Sequence, residues 1–140
     1  MHGTYANLIF MDEETMSKPQ RIWNSPKGKL ENGWHPAHPT LYLRKEVYDK
    51  IGFFNLNYRI AADYDFMIRV MKDKTIKLSY IDDYIIYMRT GGASTAGLKG
   101  YIKNLKEANE VLKNNNIKYP YIVSIKRIIK TIKEMIITKR

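Results

Sequence analysis

The chain has 140 residues, 44% of them hydrophobic and 27% charged, which suffices for one domain with a core of its own and is too polar for an integral membrane protein. It carries a net charge of +10 and no cysteine, so disulfides, thiol nucleophiles and cysteine-based zinc sites are excluded. No run reaches the ~18 apolar residues of a spanning helix, and "MHGTYANLIFMDEET" lacks the basic-then-apolar pattern of a secretory leader, so the expected location is cytoplasmic.

In chain order the pattern is α/β. "TYANLIFMDE" alternates as a strand does, and "PQRIWN" is its expected hairpin partner across "EETMSK". "SPKGKLENGWHPAHP", rich in Gly, Pro and Asn, reads as a long loop of the kind that lines a site. "TLYL" is a short buried strand. "RKEVYDKIG" is two helical turns stopped by Gly52, whose missing Cβ suits a left-handed cap. Tyr64, Met67, Ile68 and Met71 recur at helical spacing and predict a helix from about Ala62 to Lys72. "TIKLSYIDDYIIYMR" reads as two short strands around a turn at Asp82-Asp83. After the loop "TGGASTAG", a helix is expected from about Leu98 to Lys113, and another from about Tyr121 to the end.

The basic excess is concentrated late. From Gly97 to Arg140 there are eleven Lys or Arg against three Glu, while the first two thirds are nearly neutral. That asymmetry points to a tail, 97–140, that touches an anionic partner. Nucleic acid is not the expected one, because no recognition motif accompanies the charge. In the last helix Ile122, Ile125, Ile129, Ile132 and Ile136 fall within one arc, widened by Ile128 and Met135, with Lys126, Arg127, Lys130 and Lys133 assigned to the opposing side. Such a helix either packs its isoleucines on the domain or lies on an anionic membrane surface, which would make the protein peripheral to the inner face of the membrane.

Asp63 and Asp65 raise the question of chemistry. Helical residues two apart diverge by about 200°, so the two carboxylates cannot grip one ion. Asp65 stands four residues before Arg69, the spacing of a helix ion pair. Asp63, at the helix start, is either a plain N-cap or a catalytic carboxylate. His2, His35 and His38 are a weak zinc set, with no cysteine and no helical His pair among them.

"HPTLYLRKEVYDKIGFFNLNYRIAADYDFMIRV", followed after the strands by "TGGAS", resembles the acceptor-side half of family 2 glycosyltransferases. These are inverting enzymes of the GT-A fold that build bacterial cell-surface polysaccharides. The resemblance rests on a His-Pro-Thr strand start, an Arg-Lys-Glu-Val-Tyr helix running into Ile-Gly-Phe-Phe, an acidic helix start ahead of an Arg, and a Gly-Gly-x-Ser loop. It covers about residues 2 to 95, and "HGTYANLIFMDEET" is similar to the strand that follows the metal-binding segment in these enzymes.

The resemblance implies a partial GT-A, Rossmann-like domain over 1–96, lacking the nucleotide-binding half, with the helical tail beyond it. It implies that Asp63 is the general base for the acceptor hydroxyl, although Ala62 stands where many relatives have a companion acid. His38 and Thr40 of the His-Pro-Thr motif fall on the acceptor or diphosphate side of the site, with a plain hydrogen-bonded loop histidine as the alternative for His38. Trp34 either stacks on a sugar ring or anchors its loop, and Gly91, Gly92 and Ser94 form either a loop that closes over the donor or a simple turn. The implied partners are a nucleotide-sugar donor and a glycan or lipid-linked acceptor. The implied cofactor is a divalent cation, Mg or Mn, whose Asp-x-Asp motif this chain lacks. The expectation is therefore a fragment that self-associates to cover its exposed sheet, inactive without the missing half. The alternative is a noncatalytic remnant or binding module with a basic tail that contacts a membrane or partner.

Overall fold

The computed structural model describes residues 1–91 and 97–139. Gly92 and Ser94 of the expected loop lie outside the described residues.

Strand β1, Gly3–Met11, is the spine of a four-stranded mixed sheet. Its residues Tyr5, Ala6, Asn7 and Leu8 are all buried, which fits a strand with neighbours on both edges. β2, Pro19–Trp23, returns antiparallel along its second half, so the expected hairpin is present. The turn between them is tied by Asp12, whose carboxylate accepts from the backbone N–H groups of Thr15, Ser17 and Lys18. β3, Tyr42–Leu43, pairs antiparallel with only Gly3 and Thr4.

β2 and β3 leave a gap between them on that edge of β1, and Thr40 fills it. Its Oγ1 accepts from Ala6 N–H at 3.1 Å, and its one proton is shared between the carbonyls of Ala6 and Ala37 at 2.9 and 2.7 Å. A fully buried hydroxyl thus stands in for a missing stretch of strand.

The segment expected as two strands around a turn is a single strand. β4, Leu78–Arg89, runs parallel to β1 along its whole length, and Asp82-Asp83 sit where the register slips beside Ala6 and Asn7. They are bulge residues, since pairing with a strand some 75 positions earlier overrides their local turn preference. Asn7, itself buried, anchors the bulge: Nδ2 donates to Asp82 Oδ1 at 3.1 Å, and Oδ1 accepts from Tyr80 Oη and Ser25 N–H, each at 2.8 Å. β4 leaves Ile81, Tyr84, Ile85, Tyr87 and Met88 substantially exposed.

Four helices complete the fold. α1, Lys45–Ile51, ends at Gly52, whose N–H bonds Tyr48 C=O; its φ is positive as expected, but ψ is extended and not left-handed. α2, Ala62–Lys72, has the expected bounds and buries Tyr64, Asp65, Phe66, Met67, Ile68 and Val70. One side, Phe66 and Val70, packs with Val47 of α1. The other, Tyr64, Met67 and Ile68, joins Ala108, Val111 and Leu112 of α3, Gly97–Asn114, and Val123 of α4, Pro120–Thr138. The helices of 97–140 therefore share a core with α2.

α4 lies against β2 and α3 with the opposite side from the one its apolar spacing suggests. The inward residues are Val123, Ser124, Arg127, Lys130 and Glu134. Arg127 places its guanidinium 3.9 Å from the Tyr64 ring centre, Arg21 Nε donates to Glu134 Oε2 at 2.7 Å, and Ile22 N–H bonds Thr138 Oγ1. Gly33, with φ of +79°, lets the backbone approach so closely that a Cβ there would lie 2.7 Å from Arg127 N.

Candidate active site

The first turn of α2 meets the His38–Thr40 turn at the surface. Four N–H groups at a helix start need acceptors, and the residue at the cap position, Ala61, has no side chain to offer. Glu107 of α3 meets part of this need: its carboxylate receives the N–H groups of Arg59, Ile60 and Ala61, the residues leading into the helix, at 3.1, 2.7 and 2.9 Å. Partial burial pushes the Glu107 carboxyl up, but these N–H groups, aided by Lys103, outweigh it and hold the carboxyl below its ordinary value.

The structure puts Ala61 and not Asp63 at the cap position, so Asp63 is not a plain N-cap. Asp63 sits inside the first turn, accepts only its neighbour Tyr64 N–H through Oδ1, and directs Oδ2 to within 3.7 Å of His38 Nδ1. Both side chains are well exposed, at 43% and 39%, so a ligand can reach the pair. Phe54 stands edge-on to His38 with ring centres 6.0 Å apart and packs on Phe66.

The expected Asp65–Arg69 pair forms at 2.9 Å and is more than a surface pair. Asp65 is buried and its second oxygen accepts from Asn115 Nδ2, while Arg69 also donates to the carbonyls of Ile51 and Phe53. Arg69 thus fixes the segment that carries Phe54 to His38. Asp63 and Asp65 point to different surroundings and do not share a ligand.

The remaining sequence candidates have contacts of their own. Thr40 is buried with its hydroxyl engaged in the sheet, so it cannot touch a substrate and acts by holding the turn that carries His38. Trp34, partly buried, packs edge-on to Tyr5 and beneath Gly28, where a Cβ would lie 2.5 Å from the indole. Gly91 follows β4 and lies against the carboxylate of Glu13 in the β1–β2 turn.

The three histidines do not meet. His2 Nδ1 accepts from Lys77 N–H, and His35 is wedged between Trp23 and Tyr64, where burial and the charges of Arg127, Lys130 and Arg21 hold it well below its ordinary value. Among the described residues no three His, Cys, Asp or Glu side chains gather to hold a metal ion. Asp82 is bonded to Asn7 and Tyr80, and Asp83 to Tyr84 N–H, and among the described residues no third ligand stands beside them to complete a divalent-cation site.

Sequence reasoning missed Glu107 and Phe54. Phe54 lies within the quoted Ile-Gly-Phe-Phe motif, whose second aromatic was a usable signal. Glu107 had none, since its partners are 46 to 48 positions away.

Comparison with known proteins supports a broad class for the chain. The chain is similar to a PGL/p-HBAD biosynthesis glycosyltransferase of Mycobacterium bovis (strain BCG / Pasteur 1173P2) and to one of Mycobacterium tuberculosis (strain ATCC 25177 / H37Ra), each 31% identical over 71 residues. The match takes in 49% of this chain and 28% of either relative, so it spans little more than a quarter of their length. No protein-family model and no solved structure matches. The similarity supports a glycosyltransferase relationship for this mixed α/β chain.

Proposed function

We propose that the chain is the acceptor-side portion of an inverting, family 2 glycosyltransferase of GT-A architecture, acting in bacterial cell-surface polysaccharide synthesis with Asp63 as its general base. The observation that carries this reading is the accessible Asp63 carboxylate on the first turn of α2, with Oδ2 3.7 Å from His38 Nδ1. The relatives named as glycosyltransferases support the reaction class.

The proposed step is one displacement. The acceptor oxygen bonds to the anomeric carbon of a nucleotide-sugar while the bond from that carbon to the diphosphate oxygen breaks. The electron pair departs with the diphosphate, and the hydroxyl proton passes to Asp63. His38 lines the acceptor side, and Phe54 offers an apolar edge next to it. The acceptor is a glycan or lipid-linked sugar. The donor nucleotide and its cation fall to parts of the enzyme outside these residues, and no step is assigned to the cation.

In an enzyme that contains this segment with a nucleotide-binding portion, Asp63→Asn is expected to lower kcat on the order of 10²–10⁴-fold. Nucleotide affinity should stay within about twofold, because the change removes a proton acceptor and not a donor contact. Asp65→Asn should instead lower the melting temperature. Equal losses of turnover for both variants would return Asp63 to a structural role and leave the binding-module alternative standing.

A further inference from the structure

α4 is docked by its polar side. Val123, Ser124, Arg127, Lys130 and Glu134 face β2 and α2, and the contacts are a guanidinium on Tyr64, an ammonium over Trp23 and the Arg21–Glu134 ion pair. The isoleucines consequently form a ridge on the outside. Ile122, Ile125, Ile129, Ile132 and Ile136 are each between 48% and 54% exposed, Ile137 reaches 68%, and Met135 and Tyr121 stand alongside. A soluble surface seldom presents so many large apolar side chains in one row.

The charges around the ridge define what suits it. Lys126 and Lys133 are exposed at its margin, and Lys118 and Lys139 are exposed near its two ends. Glu134, the only acid beyond Glu110, is turned inward and bound by Arg21. The outer side of α4 is therefore apolar along its crest and cationic along its flank. A second copy is a poor match, because pairing ridge on ridge brings lysines against lysines with no outward acid to neutralise them. An anionic lipid surface matches both features, with hydrocarbon for the ridge and headgroup phosphates for the lysines. Nineteen helical residues span about 28 Å, yet among the described residues no helix is long and apolar enough to cross a membrane. A second exposed apolar region, on β4, carries Asp82 and Asp83 and is electrostatically unsuited to such a surface, and the exposed Phe53 and Leu56 form no helical row.

We infer that α4 is a membrane-surface helix that lies flat on an anionic bilayer while still docked on the domain, its isoleucine ridge inserted at the headgroup boundary and Lys126 and Lys133 on the phosphates. No unfolding or release of α4 is needed, because the inserting side is already outward. The inference is independent of the glycosyl-transfer reading and does not require Asp63 to be catalytic.

Sedimentation of the full chain with vesicles tests it. Partition onto phosphatidylcholine vesicles containing about one third phosphatidylglycerol should exceed that onto pure phosphatidylcholine by about tenfold or more and fall steeply with added salt. Lys126→Glu with Lys133→Glu should remove most of that difference. Ile125→Ser with Ile129→Ser and Ile132→Ser should remove partition at every composition. All these positions are exposed, so both variants should keep the parent's circular dichroism and melting temperature, and the charge variant decides the matter if the serine variant does not fold. Failure of the parent to bind anionic vesicles overturns the inference, as does undiminished binding by the charge variant. A parent that is dimeric, binds no vesicle and becomes monomeric in the serine variant would assign the ridge to a second copy instead.

Discussion

α2 and α4 are both amphipathic helices packed in the same core, and they are oriented in opposite senses. α2 buries six of its eleven residues, including Phe66, Met67 and Ile68. α4, nineteen residues long, buries only Val123 and Ser124 and turns its isoleucines out. The difference lies in what each neighbour offers. α2 sits between α1 and α3, which present apolar side chains. α4 faces Trp23, Tyr64 and Arg21, to which a cation or a carboxylate can bind as well as an aliphatic chain can. Periodicity thus predicts that a helix has two sides, and the partner surface decides which one is buried.

The same substitution in the two helices is the sharpest way to break that comparison. Ile68 is fully buried, and Ile68→Ala should cost about 2–5 kcal/mol in a denaturant titration, the range for truncating a buried isoleucine. Glu107→Ala, which uncaps α2, should cost about 0.5–2 kcal/mol and carries a pH signature. Because folding lowers the Glu107 carboxyl, its contribution is complete above the unfolded-state value near ~4.3 and is lost as pH falls through the lower folded value. The variant should therefore lose less stability than the parent between neutral and acid pH. Ile129→Ala should change stability by no more than about 0.5 kcal/mol, as at other exposed sites. A cost for Ile129→Ala comparable to that for Ile68→Ala would mean that the ridge is covered and the orientation of α4 reversed.

What could be read from the sequence was whatever neighbours in the chain determine. The β1–β2 hairpin, the limits of α2 and the Asp65–Arg69 pair all depend on residues within a turn or two of one another. What could not be read depends on distant partners. Asp82-Asp83 has turn chemistry locally, and only β1 makes it a bulge within one strand. Asp63 reads as a cap from its spacing, and the structure places it inside the first turn, with Ala61 at the cap position and Glu107 of α3 holding the N–H groups that lead into it. Thr40 looked like a site residue from its motif, and only the gap between β2 and β3 assigns its hydroxyl to the sheet. The approach of His38 to Asp63 was not read at all, since nothing local joins residues so far apart and the resemblance assigned each of them without pairing them.

The Thr40 hydroxyl has one more consequence. His38 lies two residues from an atom clamped to the backbone of β1, so its coordinates are referenced to the sheet, whereas Asp63 is referenced through Glu107 to α3. The 3.7 Å between them is accordingly a gauge set across two separately anchored frames. A displacement of the helical layer along the sheet would open or close that interval.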